Sequence, residues 1–116
     1  MKDPFDISGN ITAERATGAT EWMVHNATAL AEAKARAQQC DRMLKATKAL
    51  AIKLSEGKTV ADRDADAYSS AEYKQAVEDE FRATLEFEKL KALYAAAQAV
   101  VDMWRSMNAA QKASRV

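Results

Sequence analysis

The feature that most constrains this chain is the position of its helix-breaking residues. Its 116 residues include three glycines and one proline, and all of them except Gly57 lie within the first 18 positions. Glycine and proline interrupt helices more strongly than any other residues. The sequence therefore contains two long stretches, one before Gly57 and one after it, in which nothing stops a helix.

Alanine, the strongest helix former, is the commonest residue in both stretches. The sequence predicts an all-α fold in which two long helices form an antiparallel hairpin joined by a short connector helix. We expect helices over about 12–55, 60–67 and 70–113, all within a single helical-hairpin domain that covers 12–113. Residues 1–11 are expected to form an extended segment whose Phe5, Ile7 and Ile11 dock on a neighbouring element.

Residues typical of helix ends bound the connector. Gly57 is expected to adopt a left-handed conformation just past the first long helix. Thr59 with Asp62, and Ser69 with Glu72, each place a hydroxyl three residues before a carboxylate, which is the spacing of a capping box. These two pairs predict the starts of the connector and of the second long helix.

Apolar and small residues recur at steps of three and four along both long helices, which indicates one buried stripe on each. The stripe on the first helix is Met23, Ala27, Leu30, Ala33, Ala37, Cys40, Leu44, Thr47, Ala51 and Leu54. The stripe on the second is Tyr73, Val77, Phe81, Thr84, Phe87, Leu90, Tyr94, Ala97, Val101 and Trp104. Small side chains on one stripe face large ones on the other, so we expect close packing.

Further apolar residues lie off these stripes and are expected to stay exposed in a single copy of the chain. They are Trp22, Ile52, Leu85, Leu93, Val100, Met103 and Met107. We therefore expect the chain to assemble into a homo-oligomer.

Composition argues against several classes of protein. Cys40 is the only cysteine and cannot form an internal disulfide, and one Cys with one His cannot build a zinc site from such ligands. No apolar run approaches the roughly 18 residues of a membrane span. Asp3 and Asp6 stand where a secretory signal carries positive charge. We expect a cytoplasmic protein that does not engage a membrane.

The 17 basic and 17 acidic residues cancel overall but are separated along the chain. Residues 12–58 carry a net +3, residues 59–88 a net −6, residues 89–116 a net +4 and residues 1–11 a net −1. The basic groups of the first helix crowd its second half. This basic ridge consists of Lys34, Arg36, Arg42, Lys45, Lys48, Lys53 and Lys58.

Two interpretations of the basic ridge remain open. It could follow a phosphate backbone, because several phosphate contacts release counterions and give salt-dependent affinity. It could instead pair with acidic residues at the start of the second long helix, or simply be solvated, at about 0 to 1 kcal/mol per exposed pair. Those acidic residues are Glu72, Glu78, Asp79, Glu80 and Glu86.

The C-terminal basic group has only Asp102 as an acidic neighbour in sequence and is the better candidate for a nucleic-acid contact. Tyr and Trp rings at helical spacing could stack on bases, although such spacing favours a core role; the rings are Tyr68, Tyr73, Tyr94 and Trp104. The candidate contact residues are Arg105, Lys112 and Arg115, followed by Lys45 and Lys48 of the ridge.

No arrangement typical of an active site, a cofactor site or a metal site is visible, so we expect a non-enzymatic protein without cofactors. The run Asp62–Asp66 resembles the start of a calcium loop, but Ala67 and Tyr73 replace the glycine and glutamate that such a loop needs. His25 is interpreted as a structural or surface residue. Cys40 is interpreted as a small buried hydrophobe.

Two stretches, taken with the region around Trp22, resemble small helical proteins of tailed phages. The stretches are Ala61–Tyr73 (ADRDADAYSSAEY) and Met103–Ala110 (MWRSMNAA). More distantly, the chain is similar to the UvsY-type recombination mediators, a family of helical, ring-forming proteins that help load a recombinase onto single-stranded DNA. The resemblance implies a role in phage DNA recombination or replication, carried out in the host cytoplasm. It implies as partners single-stranded DNA and a recombinase, annealing or single-strand-binding protein.

A second class of function is a helical protein-interaction module, such as an inhibitor of a host protein or an assembly adaptor. In that case the acidic stretch 62–80 would dock on a basic partner. The two hypotheses differ in which end of the hairpin is functional.

Overall fold

The computed structural model describes residues 9–115, and every regular element among them is a helix. Helix α1 spans Ala13–Leu54, α2 spans Val60–Ser69 and α3 spans Ala71–Ser114. The all-α fold class, with two long helices and one short one, is confirmed. The observed helix bounds lie within two residues of those expected from the sequence. Phe5 and Ile7 lie outside the described residues.

The described chain divides into two compact units. Residues 9–30 and 89–115 form what we call the terminal unit, and Ala31–Glu88 form the central unit. In both units α1 and α3 run in opposite directions: residues 13–21 lie beside 101–105 in the terminal unit, and Arg36 pairs with Glu86 in the central unit.

The terminal unit contains the main hydrophobic core. Ala19 of α1 and Ala97 of α3 are both completely buried, and Val100 is 1% exposed. Alanine lets the helix backbones approach closely, and the larger rings then cover the contact. Ile11 is also buried in this core, as expected. The rings that pack against it are Trp22, Tyr94 and Trp104.

The central unit buries very little. Its buried residues are Ala33, Ala67 and Ala83, all of them alanines. Large apolar side chains of the same unit are exposed. They are Met43, Leu50, Leu54, Val60, Tyr68, Val77, Phe81 and Leu85. The central unit therefore exposes a substantial amount of apolar side chain.

The two predicted stripes hold in part. On α3, Val77 and Phe81 are exposed, which contradicts the expected core role, while Ala76, Glu80 and Ala83 turn inward. On α1, Ala27 and Leu54 are exposed, which also contradicts the stripe. On α3 the two successive steps of four, from Tyr73 to Val77 and on to Phe81, each advance about 40° around the helix, so together they leave the buried face.

The off-stripe residues behave in two ways. Leu85, Leu93, Met103 and Met107 are exposed, as expected. Val100 was expected to be exposed and is buried instead, because it lies three residues after Ala97 and shares its face. The others, Trp22 and Ile52, are half-buried.

Hydroxyl side chains cap the helices at the two turns of the connector. Thr59 caps α2 as predicted: its Oγ1 accepts a hydrogen bond from the backbone N–H of Asp62 at 3.1 Å. Ser70, and not Ser69, caps α3, because Ser70 Oγ accepts from the N–H of Tyr73 at 3.2 Å. Ser70 also ends α2, donating from Oγ to the carbonyl of Ala67 at 2.8 Å.

Gly57 does not adopt the left-handed conformation expected from the sequence, since the only positive-φ residue described is Gly9. Glycine is required at position 57 for a different reason. A Cβ there would lie 2.9 Å from Cβ of Asp62 and 3.0 Å from the backbone nitrogen of Arg63. The loop therefore passes too close to the start of α2 for any side chain.

Candidate nucleic-acid and protein contact surfaces

The C-terminal basic group lies in the terminal unit. Arg105 and Lys112 are seven residues apart on α3, so they project from nearly the same face about 10 Å apart along the helix axis. Both are exposed, and Arg115 follows directly after the helix ends at Ser114. Among the described residues none of the three forms an ion pair. Their charges are therefore available to an anionic partner.

The immediate surroundings of this group are partly apolar. Arg105 borders a shallow groove of about 270 Å³ together with Trp104, Val101 and Ala16. Glu21 is an acidic side chain that lines the same groove. Asp102 Oδ1 accepts a hydrogen bond from Gln98 Nε2 at 3.0 Å, which satisfies one carboxylate oxygen within α3. The half-buried indole of Trp104 and the exposed guanidinium of Arg105 therefore offer a partner both an aromatic ring and a cation.

Lys45 and Lys48 lie in the central unit, and each already has a partner. Lys45 Nζ is 3.1 Å from Oδ2 of Asp41, one turn earlier on α1. Lys48 Nζ donates to the hydroxyl oxygen of Tyr68 at 2.6 Å and lies 4.5 Å from the centre of its ring. The hydrogen bond to Tyr68 raises the pKa of Lys48 above the ordinary lysine value. Lys48 therefore stays charged, but its side chain is held by α2.

Tyr68 connects this lysine to α3. Its ring meets that of Tyr73 edge-on, with ring centroids 5.3 Å apart and planes at 85°. Tyr68 remains 49% exposed, so part of an aromatic side chain is open to solvent beside a cation. Sequence reasoning considered Tyr68 and Lys48 separately. It missed the pair because the two residues lie 20 positions apart on different helices.

Pairing between the basic ridge and the acidic start of α3 is limited. Arg36 Nη1 lies 3.3 Å from Glu86 Oε2, and this ion pair joins α1 to α3. Glu78 pairs with Arg82 inside α3. The ridge members outside any described ion pair are Lys34, Arg42, Lys48, Lys53 and Lys58. Most of the ridge is therefore solvated and not neutralised.

Two side chains of α2, those of Asp66 and Arg63, brace the connector. Asp66 accepts a hydrogen bond from Ser55 Oγ at 2.5 Å, and Arg63 donates from Nε to the carbonyl of Gly57 at 3.0 Å. Nowhere in residues 9–115 do three His, Cys, Asp or Glu side chains converge as a metal ion would require. The run Asp62–Asp66 begins in the first turn of α2, where negative charge is favourable because it interacts with the positive end of the helix dipole.

His25 and Cys40 are the two remaining candidate residues. His25 is exposed on α1. Cys40 is half-buried, whereas the sequence predicted a buried residue. It borders an open groove of about 640 Å³ between α1 and α3 of the central unit, lined also by Met43, Thr47 and Gln75.

The structure does not unite the five predicted contact residues into one site. Arg105, Lys112 and Arg115 belong to the terminal unit, whereas Lys45 and Lys48 belong to the central unit. The first three are outside any ion pair in the described chain, and the last two are engaged. The C-terminal group is thus the simpler candidate for binding an anion.

None of the three helices is both long enough and apolar enough to cross a membrane, a result that covers the described part of the chain. No protein-family model, no curated protein and no solved structure matches this chain.

Proposed function

We propose that this chain is a non-enzymatic, self-associating accessory protein that contacts single-stranded DNA and a recombinase, annealing or single-strand-binding protein during phage recombination or replication. The observation that carries the proposal is the C-terminal basic group, in which Arg105, Lys112 and Arg115 are exposed and outside any described ion pair. This role agrees with the resemblance to recombination mediators.

The mechanism is one of positioning. Each copy presents Arg105 and Lys112 about 10 Å apart along one helix, and a flexible strand can contact both through different phosphates. Self-association repeats this group and raises the number of phosphates that one assembly contacts. The acidic surface of the central unit remains available for the protein partner.

The test compares two triple variants by fluorescence anisotropy on a labelled single-stranded oligonucleotide. In the first variant Arg105, Lys112 and Arg115 are replaced by alanine. In the matched control Lys34, Lys53 and Lys58 are replaced by alanine, which removes the same charge from the basic ridge. We expect the first variant to weaken binding and to lower the slope of log affinity against log salt by about 2, because each neutralised phosphate of a single strand contributes about 0.7 to that slope.

Two results would contradict this proposal. Unchanged affinity in the first variant would remove DNA binding from the C-terminal group. Equal decreases in affinity in both variants would show that overall charge, and not this group, governs binding. Adding Lys45→Ala and Lys48→Ala to the first variant then tests the second pair, which we expect to contribute less because both lysines are already engaged.

The second candidate function is a protein-interaction adaptor, favoured by a different observation. The central unit buries only alanines while Met43, Leu50 and Phe81 are exposed. Exposed apolar surface of this kind marks contact sites for proteins. A chain with no measurable DNA affinity that forms a stoichiometric complex with a purified recombinase or host protein would favour this function over the first.

A further inference from the structure

One face of α3 in the central unit carries a symmetric pattern. Lys74, Val77, Phe81, Leu85 and Glu88 follow one another at steps of three, four, four and three. On an α-helix these five positions fall within an arc of about 80°, with Phe81 at its centre. On each side of Phe81 the next residue of this face is aliphatic, and the one after it is charged. The two charged residues, Lys74 and Glu88, have opposite signs.

This face has no partner within the described chain. Phe81 is 63% exposed, Val77 40% and Leu85 42%, although all three are large and apolar. Lys74 and Glu88 are exposed and form none of the described ion pairs, although Glu88 borders a groove that Lys34 of α1 also lines. They cannot pair with each other in one copy, because 14 residues of helix separate them by about 21 Å.

We propose that this face is the contact between two copies of the chain, packed with their α3 helices antiparallel about a two-fold axis at Phe81. In this arrangement Phe81 meets Phe81 of the second copy, and Val77 meets Leu85 of the second copy. Lys74 lies beside Glu88 of the second copy, and the symmetry repeats this ion pair at the other end of the contact.

The charges select the antiparallel arrangement. Parallel packing of the same face would place Lys74 against Lys74 and Glu88 against Glu88, and such like-charge contacts are unfavourable. Antiparallel packing turns both into opposite-charge contacts at the edges of an apolar centre, which is the usual layout of a protein interface. A second copy is thus the occupant that complements this face residue by residue.

This inference rests on the self-association in the proposed function but not on DNA binding. The experiment is sedimentation equilibrium of the full chain over a range of concentrations. We expect the native protein to reach at least twice its 12.7 kDa mass. Lys74→Glu and Glu88→Lys, each alone, should weaken the dimer by about tenfold or more, because each places like charges in contact.

The decisive variant combines both reversals. Lys74→Glu with Glu88→Lys restores opposite charges only between antiparallel copies, so we expect its dissociation constant to return to near the native value. Phe81→Ala should also weaken the dimer, and circular dichroism should show unchanged helicity because Phe81 supports no core. Lys53→Glu, a charge reversal at an exposed position of α1 away from this face, serves as the control and should leave the dimer intact.

Each outcome has a distinct meaning. A double variant as weak as the single ones would overturn the antiparallel contact. Dimers that survive every change on this face would overturn the surface while leaving self-association in place. A monomeric native chain would overturn both this inference and the self-association, whereas loss of DNA binding by a normal dimer would affect the proposed function alone.

Discussion

Lys48 on α1 and Tyr68 on α2 are joined by a hydrogen bond of 2.6 Å between the ammonium nitrogen and the phenol oxygen. This contact ties the connector helix to the long helix before it. Tyr68 in turn packs edge-on against Tyr73 of α3. A lysine and two tyrosines therefore link all three helices of the central unit, where the buried residues are alanines.

The contribution of this contact to stability should depend on pH. The hydrogen bond to Tyr68 raises the pKa of Lys48 in the folded chain above 10.5, the ordinary value. A raised lysine pKa stabilises the fold fully below the unfolded value and loses that effect as the pH rises through the folded value. Thermal unfolding should therefore show Lys48→Ala less stable than the native chain at pH 7 to 9, with a difference that shrinks above about pH 10.5. A difference that grows with pH would contradict this assignment.

Gly57 should be irreplaceable for steric reasons. Gly57→Ala places a Cβ 2.9 Å from Cβ of Asp62, and we expect it to cost about 1 to 3 kcal/mol of unfolding free energy. Gly18→Ala is the matched control, because a Cβ there meets nothing within 4 Å inside helix α1. It should stabilise by about 0.5 to 1 kcal/mol. Urea denaturation measures both, and equal effects of the two changes would refute the close approach.

The two adjacent serines of the connector should behave differently. Ser70→Ala removes the acceptor for the N–H of Tyr73 and the donor to the carbonyl of Ala67, so we expect a decrease in unfolding free energy of about 0.5 to 2 kcal/mol. Ser69 Oγ donates only to the carbonyl of Asp66, and Ser69→Ala should cost less. Chemical denaturation of the two variants would contradict this capping assignment if Ser69→Ala proved the more damaging.

The alanine contact in the terminal unit should resist enlargement. Ala97 is completely buried against α1, and Ala97→Leu should lower the unfolding free energy by about 1 to 3 kcal/mol through overpacking. Ala99→Leu, two residues later on the exposed side of α3, is the control and should be nearly neutral. If both changes had the same effect on the thermal midpoint, the close packing of α1 and α3 at this point would be wrong.

The candidate site could be predicted as a set of residue types but not as an arrangement. Charge counting along the chain picked out Arg105, Lys112 and Arg115, and they are exposed. It also picked out Lys45 and Lys48. Helix geometry alone places Asp41 one turn before Lys45, but Tyr68 lies within reach of Lys48 only because the folded structure brings α2 against α1. The symmetric face around Phe81 was hidden because Val77 and Phe81 fitted a core stripe equally well.

The sequence by itself determined the helices and the place where the chain turns. Helix formation depends on neighbouring residues, so the lack of breakers on either side of Gly57 and the cap at Thr59 were sufficient for both. Only the tertiary structure decided which side of α3 is buried, because steps of three and of four are equally helical but lead to different faces. It likewise decided that Gly57 is needed for a close approach and that Ser70 caps α3, since both depend on how the connector packs against its neighbours.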